Sequence, residues 1–130
     1  MTLAVAISGG IPWSSVPVYW AGQLLGGFLG AWLCWAAFKL QFDKNDDNSG
    51  TRGGIFCTSP AVRAIPWNIV TEVIATFVLI LWILTNPQIN STLGYAAVSF
   101  VIITIGFGLG GPTGYAINPA RDLGPRLAYA

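Results

Sequence analysis

The sequence predicts an all-α membrane protein, and three observations carry that prediction. Of its 130 residues, 54% are hydrophobic and 8% charged, where soluble domains carry about 25% charged residues. No Asp, Glu, Lys, Arg or His occurs between Met1 and Phe38, and none between Glu72 and Arg121. A spanning helix needs roughly 20 mostly apolar residues to cross about 30 Å of hydrocarbon. Both uncharged stretches exceed that length, and the second is long enough for more than one crossing.

Residues 1–8, MTLAVAIS, are apolar but too short to span before Gly9, Gly10 and Pro12 break the run. They lack a basic region and a cleavage-like context, so they do not read as a removable signal peptide. They read as half of a crossing. The first span covers residues 16–38, with Gln23 as its only strongly polar side chain. Residues 39–66 are the hydrophilic connection, and their stretch DKNDDNSGTRGG reads as an exposed loop. The second span, 67–85, contains one acid, Glu72. A short uncharged connection, 86–92, leads to the third span, 94–110. A last helix opens at Pro119, so residues 118–128 form a second half-crossing. Trp13, Tyr19, Trp20 and Trp67 fall near span starts, where interfacial aromatic residues are expected. Too few Lys and Arg flank the spans to orient the chain by the positive-inside rule.

Glycines recur at intervals of four, as Gly22, Gly26 and Gly30 in the first span and as Gly106, Gly110 and Gly114 at the end of the third. That spacing places small residues on one helix face, where neighbouring backbones can approach closely in lipid. The expectation is tight helix packing at both triplets.

Composition also excludes functions. The net charge is +1 with no basic patch, so nothing points to nucleic acid. There is no His, the commonest metal ligand and general base. Cys34 and Cys57 have the spacing of neither a metal knuckle nor a disulfide framework. No metal site, cofactor or enzymatic centre is expected, and the lipid bilayer is the expected surrounding.

The sharpest feature is Asn118-Pro119-Ala120-Arg121. Asn is among the best N-cap residues, and Pro is favoured at the first helical position, where its missing N–H would be unpaired anyway. A helix should begin here, after an approach, GFGLGGPTGYA, that cannot be regular helix throughout. Non-helical backbone at membrane depth is tolerated only where it is buried in protein or lines a wet cavity. A helix N-terminus in such a place presents free N–H groups and a positive dipole end. Arg121 in the first turn strengthens that field, which repels cations and protons while leaving donors for a neutral polar solute. Arg126 reads as a headgroup-side residue.

The run GPTGYAINPARDLGPR resembles the second half-helix region of the major intrinsic protein family, and within it the bacterial glycerol uptake facilitators. The opening TLAVAISGG is similar to the stretch after the family's first Asn-Pro-Ala, and Glu72 stands where the family's fourth spanning helix carries a buried acid. The resemblance covers essentially all 130 residues. It implies an aquaporin-like helical bundle, here three spanning helices plus two half-helices of an inverted repeat. It also implies a passive channel for glycerol and other small neutral polar solutes with water as co-permeant, in a multi-pass, bacterial plasma-membrane protein that assembles as a homotetramer.

By the same resemblance, Asn118 donates its amide to the solute, and Pro119 and Ala120 complete the half-helix motif. Arg121 is the selectivity-filter arginine, and the carbonyls of Gly114, Tyr115 and Ala116 form an acceptor ladder. The ring of Tyr115 is part of the apolar wall. Gly106 stands where strict water channels place a His, and its bareness widens the filter. Asp122 and Arg126 fit the glycerol-conducting branch, and Glu72 accepts hydrogen bonds from the loop amides. Relative to the family pattern, the chain lacks the first two spanning helices, the first Asn-Pro-Ala and the last spanning helix, and Met1 stands where the family has Val. It therefore reads as a fragment. The alternatives are a strict water channel, which Gly106 and Asp122 oppose, and a non-conducting remnant. A piece of an ion-coupled transporter would need acidic or hydroxyl-rich ligands near the break beyond Glu72.

Overall fold

The computed structural model describes residues 1–45, 49–86 and 92–130. The sequence readings of Asp46–Asn48 and of most of the 86–92 connection lie outside those residues. The chain forms α1 (Thr2–Ile7), a single 3-10 turn (Trp13–Ser15), α2 (Val16–Ala37), α3 (Lys39–Lys44), α4 (Ser49–Phe56), α5 (Ile65–Thr85), α6 (Thr92–Thr113) and α7 (Pro119–Tyr129). No strand occurs among the described residues.

Local chemistry sets the ends of these helices. Past α1, Gly9 turns left-handed at φ +79. Its N–H reaches the Ala6 carbonyl at 3.1 Å, and that of Gly10 reaches Val5 at 2.8 Å. This pair of back-bonds is the glycine helix stop that satisfies the last free carbonyls. Proline stands in the first turn of α2, α5 and α7, where it removes no helical hydrogen bond. The hydrophilic connection is more regular than its composition suggests, since α3 and α4 lie within it. Aromatic stacking explains why: Phe42 of α3 stacks on Phe56 of α4 at 5.5 Å, and Phe56 on Tyr129 of α7 at 5.6 Å. That stacking, with Phe42 buried, outweighs the loop-forming preference of the Asn and Gly residues around it.

Two helices among the described residues are long and apolar enough to cross a membrane. They are Ile65–Thr85, with mean hydropathy 2.0, and Leu93–Thr113, with 1.9. The core helix of a soluble protein would be mostly buried, yet only 17% and 11% of these segments are. Phe107 is 90% exposed and Trp67 73%, an arrangement that suits lipid better than water. α2 has the length, at 22 residues. Four glycines, Gln23, Tyr19 and three tryptophans lower its hydropathy, so the structure gives two such helices where the sequence reading expects three spans.

The helices pack in two pairs. α5 and α6 close over Ala75, Leu79, Ile83 and Ile105, an aliphatic cluster flanked by Leu109, Tyr115 and Ile117. α2 and α7 make the broadest contact among the described residues, and it is a backbone contact. A Cβ on Gly27 would stand 2.7 Å from the Ala120 carbonyl oxygen, and one on Gly124 2.9 Å from that of Leu24. This corrects the glycine reading of the first span. Gly22, Gly26 and Gly30 have nothing within 4 Å of a would-be Cβ, so their face is open and Gly27, off the periodic stripe, carries the approach. The second triplet is occupied from within the chain: Gly106 and Gly110 hold the Tyr115 ring, and Gly114 abuts Thr58.

Candidate functional site: the junction at Asn118

α6 ends at Thr113, beyond the span expected to stop at residue 110, with Pro112 in its last turn. The five residues before α7 then turn sharply. Gly114, Tyr115 and Ile117 have φ of +80, +45 and +43. For Tyr and Ile this left-handed region costs on the order of 1–3 kcal/mol each and persists only where surroundings impose it.

The constraint comes from Glu72 in α5. One carboxylate oxygen accepts the Thr113 hydroxyl at 2.6 Å and the Ala116 N–H at 3.0 Å, and the other accepts the Ile117 N–H at 2.8 Å. Hydrogen bonds to a charged group contribute about 1.5–3 kcal/mol each, enough to offset the backbone strain. An acid in an apolar helix is costly unless it is partnered, and here three donors partner it. Thr113, 6% exposed, is the hydroxyl donor that sequence reasoning did not name.

Asn118 then caps α7. Its side-chain oxygen accepts from the Ala120 N–H at 3.1 Å, and its carbonyl from the Arg121 N–H at 3.1 Å. The side-chain amide, two donors, has no acceptor among the described residues. The Ala116 carbonyl accepts the Asn118 N–H at 2.5 Å, which uses one of its two lone pairs. The carbonyls of Gly114 and Tyr115 take no donor among the described residues. The Arg121 guanidinium makes no ion pair or hydrogen bond to a described residue, and its carbon lies 5.5 Å from the centre of the Tyr115 ring.

Tyr115, Ala116, Asn118 and Arg121 border one cavity of about 750 Å³. Leu79 and Ile102 stand among its apolar lining residues. Pro119 and Ala120 also border it, as do Thr2 and Gln23, which are joined by a 2.9 Å hydrogen bond. Four of the predicted residues lie elsewhere. Gly106 sits beneath the Tyr115 ring, whose hydroxyl-bearing carbon is 3.0 Å from where its Cβ would be. The room left by the missing side chain is thus filled by that ring. Gly114 lies behind the loop against Thr58, and Glu72 faces a separate cleft.

Asp122 points away from the cavity. Its Oδ1 accepts the Thr58 N–H at 2.6 Å and the Thr58 hydroxyl at 2.8 Å, and Arg126 pairs with its Oδ2 at 3.0 Å. Arg126 also donates to the Thr58 carbonyl at 2.7 Å. Arg126, expected on the headgroup side, is thus engaged by an i,i+4 carboxylate and by the Thr58 carbonyl. Thr58 itself carries no signal in the sequence beyond the turn-like Thr-Ser-Pro.

Chemically, the cavity brings amide and guanidinium donors and backbone carbonyls together with hydrocarbon. No cluster of His, Cys, Asp and Glu suited to a metal occurs among the described residues.

Comparison with known proteins gives the same direction. The family model described as Major intrinsic protein matches residues 1–130. Over its whole length the chain is 44% identical to glycerol uptake facilitator protein 3 of Lactiplantibacillus plantarum, covering 55% of that protein. It is 45% identical to the glycerol uptake facilitator protein of Bacillus subtilis, covering 48%, and 39% identical to a D/L-lactic acid transporter of L. plantarum, covering 56%. The chain spans about half the length of the curated relatives it matches.

Proposed function

The chain belongs to the major intrinsic protein family, and from that premise we propose that it supplies the pore segment of a passive channel for glycerol and other small neutral polar solutes, with water as co-permeant. The family is one of channels, not of enzymes. One observation carries the reading: the cavity at Asn118 is lined by both polar and apolar residues, with Asn118 and Arg121 beside Leu79 and Ile102. A polyol presents hydroxyls along one edge and C–H groups along the other. The Asn118 amide, the Arg121 guanidinium and the Tyr115 carbonyl match the first edge, and Leu79 and Ile102 match the second. Arg121 is always charged and offers five donors in a planar fork, so it holds adjacent hydroxyls while its charge opposes cations.

In this reading α2 is the third crossing beside α5 and α6, and α1 and α7 are the half-helices. The complete protein is a multi-pass, plasma-membrane homotetramer. The names of the relatives support glycerol as the solute. The lactic acid relative supports a second solute, neutral hydroxy acid, whose vicinal hydroxyl and carboxyl groups present the same polar edge.

The test is a chimaera in which residues 1–130 replace the matched segment of the B. subtilis relative, reconstituted in liposomes and followed by light scattering after a glycerol gradient. Glycerol entry well above that of protein-free vesicles is expected, with faster water exchange. Folded, abundant chimaera without glycerol entry overturns the reading, and water flux alone makes it a strict water channel. Residues 1–130 by themselves are expected to be non-conducting.

A further inference from the structure

The two residues that this reading places in the filter, Tyr115 and Arg121, are not bonded to the elements that hold the junction. Their neighbours are. Gly114 abuts Thr58, whose Cβ and Cγ2 stand 3.0 and 3.1 Å from where a glycine Cβ would be. Asp122 accepts both the N–H and the hydroxyl of the same Thr58, at 2.6 and 2.8 Å, and the Thr58 carbonyl takes Arg126 at 2.7 Å. All three polar groups of Thr58 are therefore spent on α7. Its aliphatic part closes the space behind a left-handed glycine (φ +80). Three residues on, the Ala61 N–H binds the Pro112 carbonyl at 3.0 Å, which ties the same stretch to the last turn of α6.

Residues 58–61 thus bridge the end of α6 and the first turn of α7, and span the loop that carries Tyr115. Glu72 holds that loop from the α5 side through Thr113, Ala116 and Ile117. Thr58 holds it at its two ends, at Gly114 and Asp122. Neither clamp touches a solute-facing side chain; both hold backbone beside Tyr115 and Arg121.

We propose that Thr58 is a positioning residue for the solute filter, acting on Tyr115 through Gly114 and on Arg121 through Asp122. The inference rests on the channel reading above. It goes beyond it by placing control of selectivity in the connection between α4 and α5, outside the cavity lining. A hydrogen bond to an ionised carboxylate is stronger than a neutral one. Losing the hydroxyl at position 58 releases the first turn of α7 by about one such bond.

The test separates the hydroxyl from the methyl. In the chimaera, Thr58→Val keeps the branched shape against Gly114 and removes the hydroxyl; Thr58→Ser keeps the hydroxyl and removes the methyl. Permeability to glycerol and to a five-carbon polyol is read in liposomes at matched protein abundance. Hydrogen exchange of the Tyr115–Asp122 amides is read in detergent. Thr58→Val is expected to change the glycerol-to-pentitol ratio several-fold and to speed exchange in that segment by about tenfold, with α5 and α6 unchanged. Thr58→Ser is expected to restore the ratio. An unchanged ratio in Thr58→Val overturns the proposal, as does equal behaviour of Val and Ser, or acceleration spread over the whole protein. If the parent chimaera conducts no glycerol, the channel reading fails by itself. The exchange experiment still decides whether Thr58 orders the junction, unchanged exchange in Thr58→Val overturning it.

Discussion

α1 and α7, the half-helices of the proposed channel, are anchored by different means. α1 is a six-residue helix, closed by glycine back-bonds at Gly9 and Gly10 and joined to α2 by one neutral hydrogen bond, Gln23 to Thr2. α7 starts from a loop with three left-handed residues. Glu72 fixes that loop, Asn118 caps the helix, Thr58 ties its first turn through Asp122, and α2 meets it backbone to backbone at Gly27 and Gly124. The difference follows the charge. α1 carries no ionised side chain, whereas α7 presents Arg121 to the cavity without a carboxylate partner among the described residues. A cation in that position is useful only if it stands in one place, and a strained loop stays in one place only if charged acceptors offset the strain.

The largest expected effect tests that logic at its centre. Glu72→Leu removes the acceptor of two N–H groups and one hydroxyl. Each buried donor left unpaired costs about 1–3 kcal/mol, a sum comparable to the whole stability of a typical domain. The chimaera is expected to lose most of its folded yield and its glycerol flux together. Glu72→Gln, which keeps one acceptor oxygen, is expected to fall between. Wild-type thermal stability and flux in Glu72→Leu would show that the loop holds its shape without the carboxylate, and would remove the contrast between the two half-helices.

Next in size is the backbone contact of α2 and α7. Gly124→Ala puts a methyl 2.9 Å from the Leu24 carbonyl oxygen and 3.0 Å from the Phe28 nitrogen, neither of which can rotate away. Overpacking of this kind costs about 1–3 kcal/mol, read as a lower unfolding temperature in detergent. Gly26→Ala, on the open face, is the paired control and is expected to change stability by less than about 1 kcal/mol, since Ala is the better helix former. Equal losses would mean that the open face is covered in the assembled protein.

A smaller effect on folding, but a specific one on permeation, is expected for the filter pair. Arg121→Val is expected to weaken discrimination among polyols and admit a proton leak, measured with a pH-sensitive dye at matched abundance. Arg63→Ala is the arginine control, because Arg126 is engaged with Thr58 and Asp122. Unchanged selectivity and leak in Arg121→Val would remove Arg121 from the filter. Gly106→His is expected to lower glycerol flux far more than water flux. The structure adds a reason, since an imidazole at position 106 must displace the Tyr115 ring that lies over it. Equal loss of both fluxes would indicate misfolding instead.

The helical membrane class was legible from the charge-free stretches, and the α7 start from Asn118-Pro119, because capping is decided by neighbours in sequence. An acid in an apolar run calls for donors, so Glu72 pointed to a buried network, although which donors it meets depends on a loop 41 to 45 residues away. What could not be read depends on tertiary register. The periodic glycines of α2 drew attention to the wrong face, because closeness is set by where α7 crosses and Gly27 happens to stand there. α3 and α4 form inside a loop-like composition because Phe42, Phe56 and Tyr129 stack. Thr58 was invisible for the same reason: its partners, Asp122 and Arg126, are 64 and 68 residues distant.

The smallest expected effect bears on α1. Thr2→Val removes the only side-chain hydrogen bond seen between that half-helix and α2 among the described residues. The bond is neutral at both ends, and a neutral bond contributes about 0.5–1.5 kcal/mol net. Thr2 and Gln23 also both border the cavity, where water can take up the amide that Thr2 releases, at little cost. Thermal stability of the chimaera is therefore expected to shift by less than about 1 kcal/mol and glycerol flux to stay near wild type. Asp122→Asn, which weakens the charged anchor at the start of α7, is expected to exceed it in both measurements. If Thr2→Val proves the more damaging of the two, α1 is held as firmly as α7, and charge is not what separates the two half-helices.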